Sequence, residues 1–324
     1  MTELHENISI VDGLIVSKWH RPVFEAMHRG GITAANCTCS IWEDFPTTMR
    51  AVADWKSWIR EHSDILMQVY DSRDIERAKN ENKVGIILGW QNSTGFGDYL
   101  PLVQVYKELG LGVVQLTYNT TNSVGSGCYE TRDSGLTDFG RELVHELNRT
   151  GILIDLSHVG SRTSHDAILE SGKPVAYSHC LPSAIKDHPR NKTDEELRFI
   201  ADSGGFVGVT MFPPFLPKGN ESTIDDYVDA IEHVVNVVGE DHTGIGTDFT
   251  QDHGPEFFEY ITRDKGTARP LIKFGNVAEL KGLEGIEQFG NLTGALEARG
   301  WPQERVEKIM GRNWIDLLRT VWGG

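Results

Sequence analysis

Basic charge is scarce in this chain of 324 residues: 31 Lys and Arg stand against 47 Asp and Glu, a formal charge of −16. Such a surface repels a phosphate backbone and an anionic bilayer alike, and no basic stripe offsets it, which excludes nucleic acid and membrane as partners. Cysteine is rare too, with four in all. Cys37 and Cys39 sit too close in an extended segment to bridge each other comfortably, and Cys128 and Cys180 have no near neighbour in sequence. No run of ~18 apolar residues occurs that could cross a bilayer. Met1 to Asn7 carries Glu3 and Glu6 but no Lys or Arg, so no signal peptide is expected. Reduced thiols and these absences together predict a cytoplasmic protein. No linker rich in Pro, Gly or Ser, no internal repeat and no low-complexity tract divides the chain, which predicts one domain over 1–324.

What is present is an ordinary globular composition, 39% hydrophobic and 24% charged. Eight short apolar runs recur, at Ile8–Val11, Gly31–Cys37, Val84–Gly89, Val113–Leu116, Ile152–Leu156, Val175–Tyr177, Phe206–Val209 and Gly244–Gly246. Between most of them lie helical patterns, such as Phe139, Leu143, Val144 and Leu147 on one face with Arg141, Glu142 and Glu146 on others. Strands alternating with helices in this number predict an α/β fold, a closed (β/α)8 TIM barrel. A doubly wound open sheet is the rival, but it would usually carry a Gly-rich phosphate loop after its first strand, and Gly13 is followed by Leu14, Ile15 and Val16. The stretch 250–287 is longer than a normal connection and holds Phe257, Phe258 and Tyr260, so it is expected to fold over the barrel mouth. Two helices, Leu292–Ala298 and Pro302–Thr320, finish the chain.

In a barrel of this kind chemistry sits at the C-terminal ends of the strands. The third run ends in Trp90-Gln91-Asn92, the fourth in Thr117-Tyr118-Asn119, the fifth in Ser157-His158, the sixth in Ser178-His179-Cys180 and the eighth in Thr247-Asp248. A lone histidine at a strand end is more often a satisfied rim residue than a ligand. Two histidines and an aspartate at equivalent positions point instead to a metal site of His158, His179 and Asp248, since imidazole nitrogen and carboxylate oxygen suit Zn²⁺, Mn²⁺ or Fe²⁺. The remaining histidines fall in helices or loops, with His253 the first exception to consider.

These strand ends resemble the membrane dipeptidase (renal dipeptidase) family, peptidase family M19, (β/α)8 metallohydrolases of the amidohydrolase type. The likeness covers most of the chain and is most specific in Gly135-Leu136-Thr137-Asp138-Phe139-Gly140 and Gly151-Ile152-Leu153-Ile154-Asp155-Leu156-Ser157-His158-Val159. Pro174 to His179, Arg190-Asn191, Gly244 to Phe249 and Gly311-Arg312-Asn313-Trp314 add to it. The resemblance implies two Zn²⁺ ions, one held by a His-x-Asp pair after the first strand and a bridging Glu after the third, the other by that Glu and two histidines. His158 and His179 match the two histidines, Asp248 the general base and Arg190 the arginine that binds a substrate carboxylate. Asn191 beside it is taken as a further substrate contact. The His-x-Asp positions are Leu14 and Val16 here, the bridging Glu is Gln91, and Tyr118 replaces a substrate-binding histidine.

The expectation is therefore a hydrolase of an amide, dipeptide-like bond in a small carboxylate-bearing substrate, working with one divalent ion, Zn²⁺ foremost, in place of two. Asp248 takes the proton, Tyr118 hydrogen-bonds the developing oxyanion, and Arg190, Asn191, Gln91 and Trp90 hold the substrate. Trp90 and Tyr118, with Leu14 and Val16, also suit a cationic or quaternary ammonium group. Cys37 and Cys39 are candidates to rebuild the lost site, against simple packing of small side chains. Two further readings stay open, a single-metal C–C lyase and a metal-free binding module. The resemblance implies a homodimer, although no heptad or apolar stripe predicts one. The terminal Trp314, Leu317, Leu318, Val321 and Trp322 could supply an interface or pack under the barrel.

Overall fold

The computed structural model describes residues 2–323, which contain nine strands. They are β1 (Val11–Ile15), β2 (Ala34–Ser40), β3 (Leu66–Gln68), β4 (Val84–Trp90), β5 (Leu111–Gln115), β6 (Leu153–Asp155), β7 (Ala176–Cys180), β8 (Phe206–Val209) and β9 (Thr243–Ile245). All pair in parallel in the order β1-β2-β4-β5-β6-β7-β8-β9. A parallel bridge from Ile15 to Phe249 brings the last strand end back to the first. With helices between the strands this is the (β/α)8 barrel.

Two strands depart from the expected runs. β3 is an extra strand of three residues that pairs with Val84–Ile86 of β4, while β5 joins the same strand from Leu88 onward. β1 starts where the first apolar run ends. It contains Asp12 because the carboxylate is satisfied inside the sheet, accepting from the amide of Leu14 (3.1 Å) and from the amide (2.9 Å) and hydroxyl of Thr247 on the last strand. The shift places Leu14, Ile15 and Val16 at the strand's C-terminal end, on the rim.

The helix Asp138–Thr150 shows how local signals set the layer around the barrel. Thr137 caps it by accepting from the amide of Gly140 (2.9 Å), Leu143, Val144 and Leu147 bury one face, and Gly151 ends it in the left-handed region at φ 69°. The barrel floor is closed by the last helix, Asn313–Trp322. Trp314 inserts its ring beside Gly13, where a Cβ would lie 2.3 Å from it, and its indole donates to the carbonyl of Ile245 (2.7 Å). Leu317, Leu318, Val321 and Trp322 join it in a cluster with Val11, Ala34, Val113 and Phe206 at the strands' lower ends, so these residues pack under the barrel. The terminal helix expected to run on from Pro302 is broken by a π turn over Lys308–Arg312, where Gly311 lies close against the carbonyl of Ser9. Among the described residues no helix is long and apolar enough to cross a membrane.

Candidate active site

β6 and β7 are neighbours in the barrel, so His158, just past the end of β6, and His179, near the end of β7, arrive side by side. A register shift between Tyr177 and Cys180 lets both Ser178 and His179 turn toward the lumen. The two imidazoles are buried, with Nε2 atoms 3.0 Å apart. Each Nδ1 is engaged behind the pair. Nδ1 of His158 donates to Oδ1 of Asn119 (2.7 Å), whose amide end reaches the carbonyl of Ile261 (3.4 Å). Nδ1 of His179 meets Oγ of Ser178 (2.7 Å), and that hydroxyl donates to Asp155 (2.6 Å), so it accepts from the imidazole. Asp155 also accepts from the amide and hydroxyl of Ser157 and the amide of Ser178.

With both Nδ1 atoms protonated, both Nε2 atoms carry lone pairs, and they face each other at contact distance. Neither ring supplies the bridging proton: burial, and after it the charge of Arg190, hold both pKa values well below the usual imidazole range. Two neutral imidazoles oriented by a hydroxyl–carboxylate pair and an amide present lone pairs of the kind that hold a divalent metal. Among the described residues no three His, Cys, Asp or Glu side chains are placed together to hold a metal. Asp248, expected as a third ligand, thus lines the same pocket without completing such a set.

That pocket lies between the histidine pair and the insertion. Tyr118 stacks on His158 (ring centroids 4.1 Å) and meets Trp42 edge-on (5.0 Å). Val16, Ile41, Gln91 and Asn119 continue the wall, and Phe257, Ile261, Ile272 and Phe274 cover it from the segment that follows β9. The enclosed space is about 20 Å³, room for about one water molecule. Ile272 and Phe274 separate it from an open cleft of about 570 Å³ on the insertion. Asp248, at φ 63°, is held by its amide on the carbonyl of Leu14 (2.9 Å). The residue as a whole is half-buried, and burial of its carboxyl, opposed by Arg190, raises its pKa to about 6, a value that suits a general base.

The family model for membrane dipeptidase, peptidase family M19, matches residues 23–269. This chain belongs to that family. It is a hydrolase, and the family is metal-dependent, so the metal-free binding module yields to this finding. A crystal structure of an amidohydrolase from Pseudomonas aeruginosa is 57% identical and superposes with a TM-score of 0.98 over 99% of each chain. An uncharacterized dipeptidase of Schizosaccharomyces pombe is 27% identical over 88% of this chain and 70% of that protein. A dipeptidase of Claviceps purpurea is 30% identical over 80% of this chain and 56% of its own length.

Within this M19 fold the other expected site residues fall in different places. Gln91 lines the pocket and donates to Oγ1 of Thr38 (3.0 Å). Trp90 does not reach it. Successive residues of a strand face opposite ways, so with Gln91 directed inward Trp90 packs outward against Phe96 (4.7 Å) and Tyr106 (4.4 Å). Arg190 is also absent from the pocket wall. Its two terminal nitrogens donate to the carbonyls of Ser157 and of His179 (2.7 Å), tying together the two strand ends that carry the histidines. Asn191 is buried beside it, donating to the carbonyls of Lys186 (2.9 Å) and Phe215 (3.3 Å). Leu14 is buried off the pocket, whereas Val16 forms part of its wall.

Cys37 lies in the hydrophobic core, and Cys39 donates to the carbonyl of Gly89 (3.3 Å). Burial raises both thiol pKa values, that of Cys39 to about 12, and among the described residues neither thiol belongs to a group of three side chains placed to hold a metal. His253 stacks on Phe257 (3.6 Å) in the outer cleft, and His20 pairs with Asp252 at the surface. Asn119 and Ser178, which fix the tautomers, were not singled out by sequence reasoning. Asn119 had one legible signal, its place beside Tyr118 at a strand end.

Proposed function

We propose that this chain hydrolyses an amide bond in a small substrate with one divalent ion, zinc foremost, held by His158 and His179. The observation that carries the reading is the pair of facing Nε2 lone pairs, each fixed by a separate hydrogen bond on its Nδ1. An ion bound there supplies Lewis acidity to a carbonyl and lowers the pKa of water. Asp248 accepts the proton of the attacking water and returns it to the leaving nitrogen. The phenol of Tyr118, kept protonated by burial, donates to the oxyanion as it forms. Arg190 acts behind the histidines as a positioning residue rather than on substrate. A second ion does not fit the donor set, because Val16 and Leu14 offer no donor and Gln91 offers only a neutral amide already tied to Thr38.

The test is a panel of dipeptides and related amides assayed with His158→Ala and Asp248→Asn. Amine release that disappears in both variants, with folding intact, supports the assignment. Unchanged turnover of a confirmed substrate in both refutes it.

A further inference from the structure

Resting on the pocket beside His158 as the substrate site, we propose that the segment 272–277 is its gate, opening toward the outer cleft and held shut by the side chain of Asn220. Part of the cover must move for a substrate to enter, because the closed space is about 20 Å³ while the cleft beyond Ile272 and Phe274 is about 570 Å³. Side chains of the insertion make that closure, whatever His158 and His179 hold. The two parts of the insertion are fastened very differently. The helix Pro255–Ile261 is tied to the barrel rim: Tyr260 donates to Glu43 (2.8 Å), the carbonyl of Ile261 accepts from Asn119 (3.4 Å), and Asp264 just beyond accepts from Thr120 (2.9 Å).

The gate segment runs between two anchors, the amide of Leu271 on the carbonyl of Thr262 (2.9 Å) and the amide of Lys281 on that of Ser222 (3.2 Å). Over 272–279, among the described residues, the hydrogen bonds that reach the rest of the protein come from one side chain. Asn220 donates to the carbonyl of Asn276 (2.7 Å) and accepts from the amide of Ala278 (3.1 Å). It is exposed, so water replaces both bonds at small cost when the segment lifts. Phe274 supplies the other hold, its ring edge-on to Phe212 (5.5 Å) and Phe215 (5.7 Å). Gly275 sits beside it at φ 70°, with nothing within 4 Å of where a Cβ would lie, so a side chain there strains the closed backbone without a clash. A segment with a glycine pivot, few backbone bonds and one polar latch is the part of a cover that opens at low free energy.

The experiment adds diethyl pyrocarbonate to the full-length protein as purified, with a chelator present to keep Nε2 of His158 free, and follows labelling of that pocket histidine by peptide mass spectrometry. His145, whose side chain is 61% exposed, is the reference. In the parent protein His158 should react about 100-fold more slowly than His145. Asn220→Ala and Gly275→Ala, neither of them on the pocket wall, should each raise the rate at His158 about tenfold with His145 unchanged. Tyr260→Phe, which frees the helix from Glu43, should leave both rates as they are. Labelling of His158 as fast as His145 in the parent overturns the proposal, as do unchanged rates in the two segment variants or a rise in Tyr260→Phe that matches theirs. Because access is read without bound metal or turnover, failure of the hydrolytic reading leaves this outcome intact, and the reverse also holds.

Discussion

The two halves of the barrel rim are built on different chemistry. At β6 and β7, each donor has a partner behind it: Asn119 behind His158, and Ser178 with Asp155 behind His179, while Arg190 fastens the two strand ends together. At β1 and β4, the positions that carry ligands in the resembling family hold Leu14, Val16 and Gln91, and Val16 packs with Ile41, Tyr118 and Ile261 in an apolar cluster. One half is a polar network with every layer engaged, the other a hydrophobic wall. A metal site therefore depends on the layer behind the ligands as much as on the ligands, and here that layer persists on one side only.

The largest expected effect comes from the intact half. His179→Ala should lower kcat/KM on a confirmed amide substrate about 10³-fold and lose the bound metal, read by steady-state kinetics and elemental analysis on protein of unchanged circular dichroism. Asp155→Asn keeps the ligand but loosens its support, and metal affinity measured by chelator competition should fall about 10–100-fold. Grafting Leu14→His, Val16→Asp and Gln91→Glu together should add a second metal equivalent, whereas Gln91→Glu alone should add none; uptake by the single variant would show that the two halves are less different than described. The smallest effect is expected at Cys39→Ala, a loss of about 1 kcal/mol in denaturant unfolding with metal content unchanged.

The barrel was legible because its strands are short apolar runs with helical periods between them, and the rim histidines because strand ends could be counted. β1 was misplaced by three residues at its start, since Asp12 and Gly13 interrupt the apolar pattern. What admits Asp12 is Thr247, more than 230 residues away in sequence, which no local pattern reports. β3 escaped because three residues carry no measurable period. The side-chain placements were harder. Trp90 and Gln91 are adjacent, and only the phase of β4 decides which of them faces the lumen. Arg190 follows a loop, and its engagement by two carbonyls comes from the folding of that loop over β6 and β7. Asn119 was visible at a strand end, but its task, fixing the tautomer of His158, exists only once His158 is beside it.

The most direct test of the account is the metal content per chain of protein purified without added metal or chelator, by elemental mass spectrometry. One equivalent, lost together in His158→Ala and His179→Ala, is the result predicted by a rim with one prepared half. Two equivalents, or one that survives both substitutions, would contradict it.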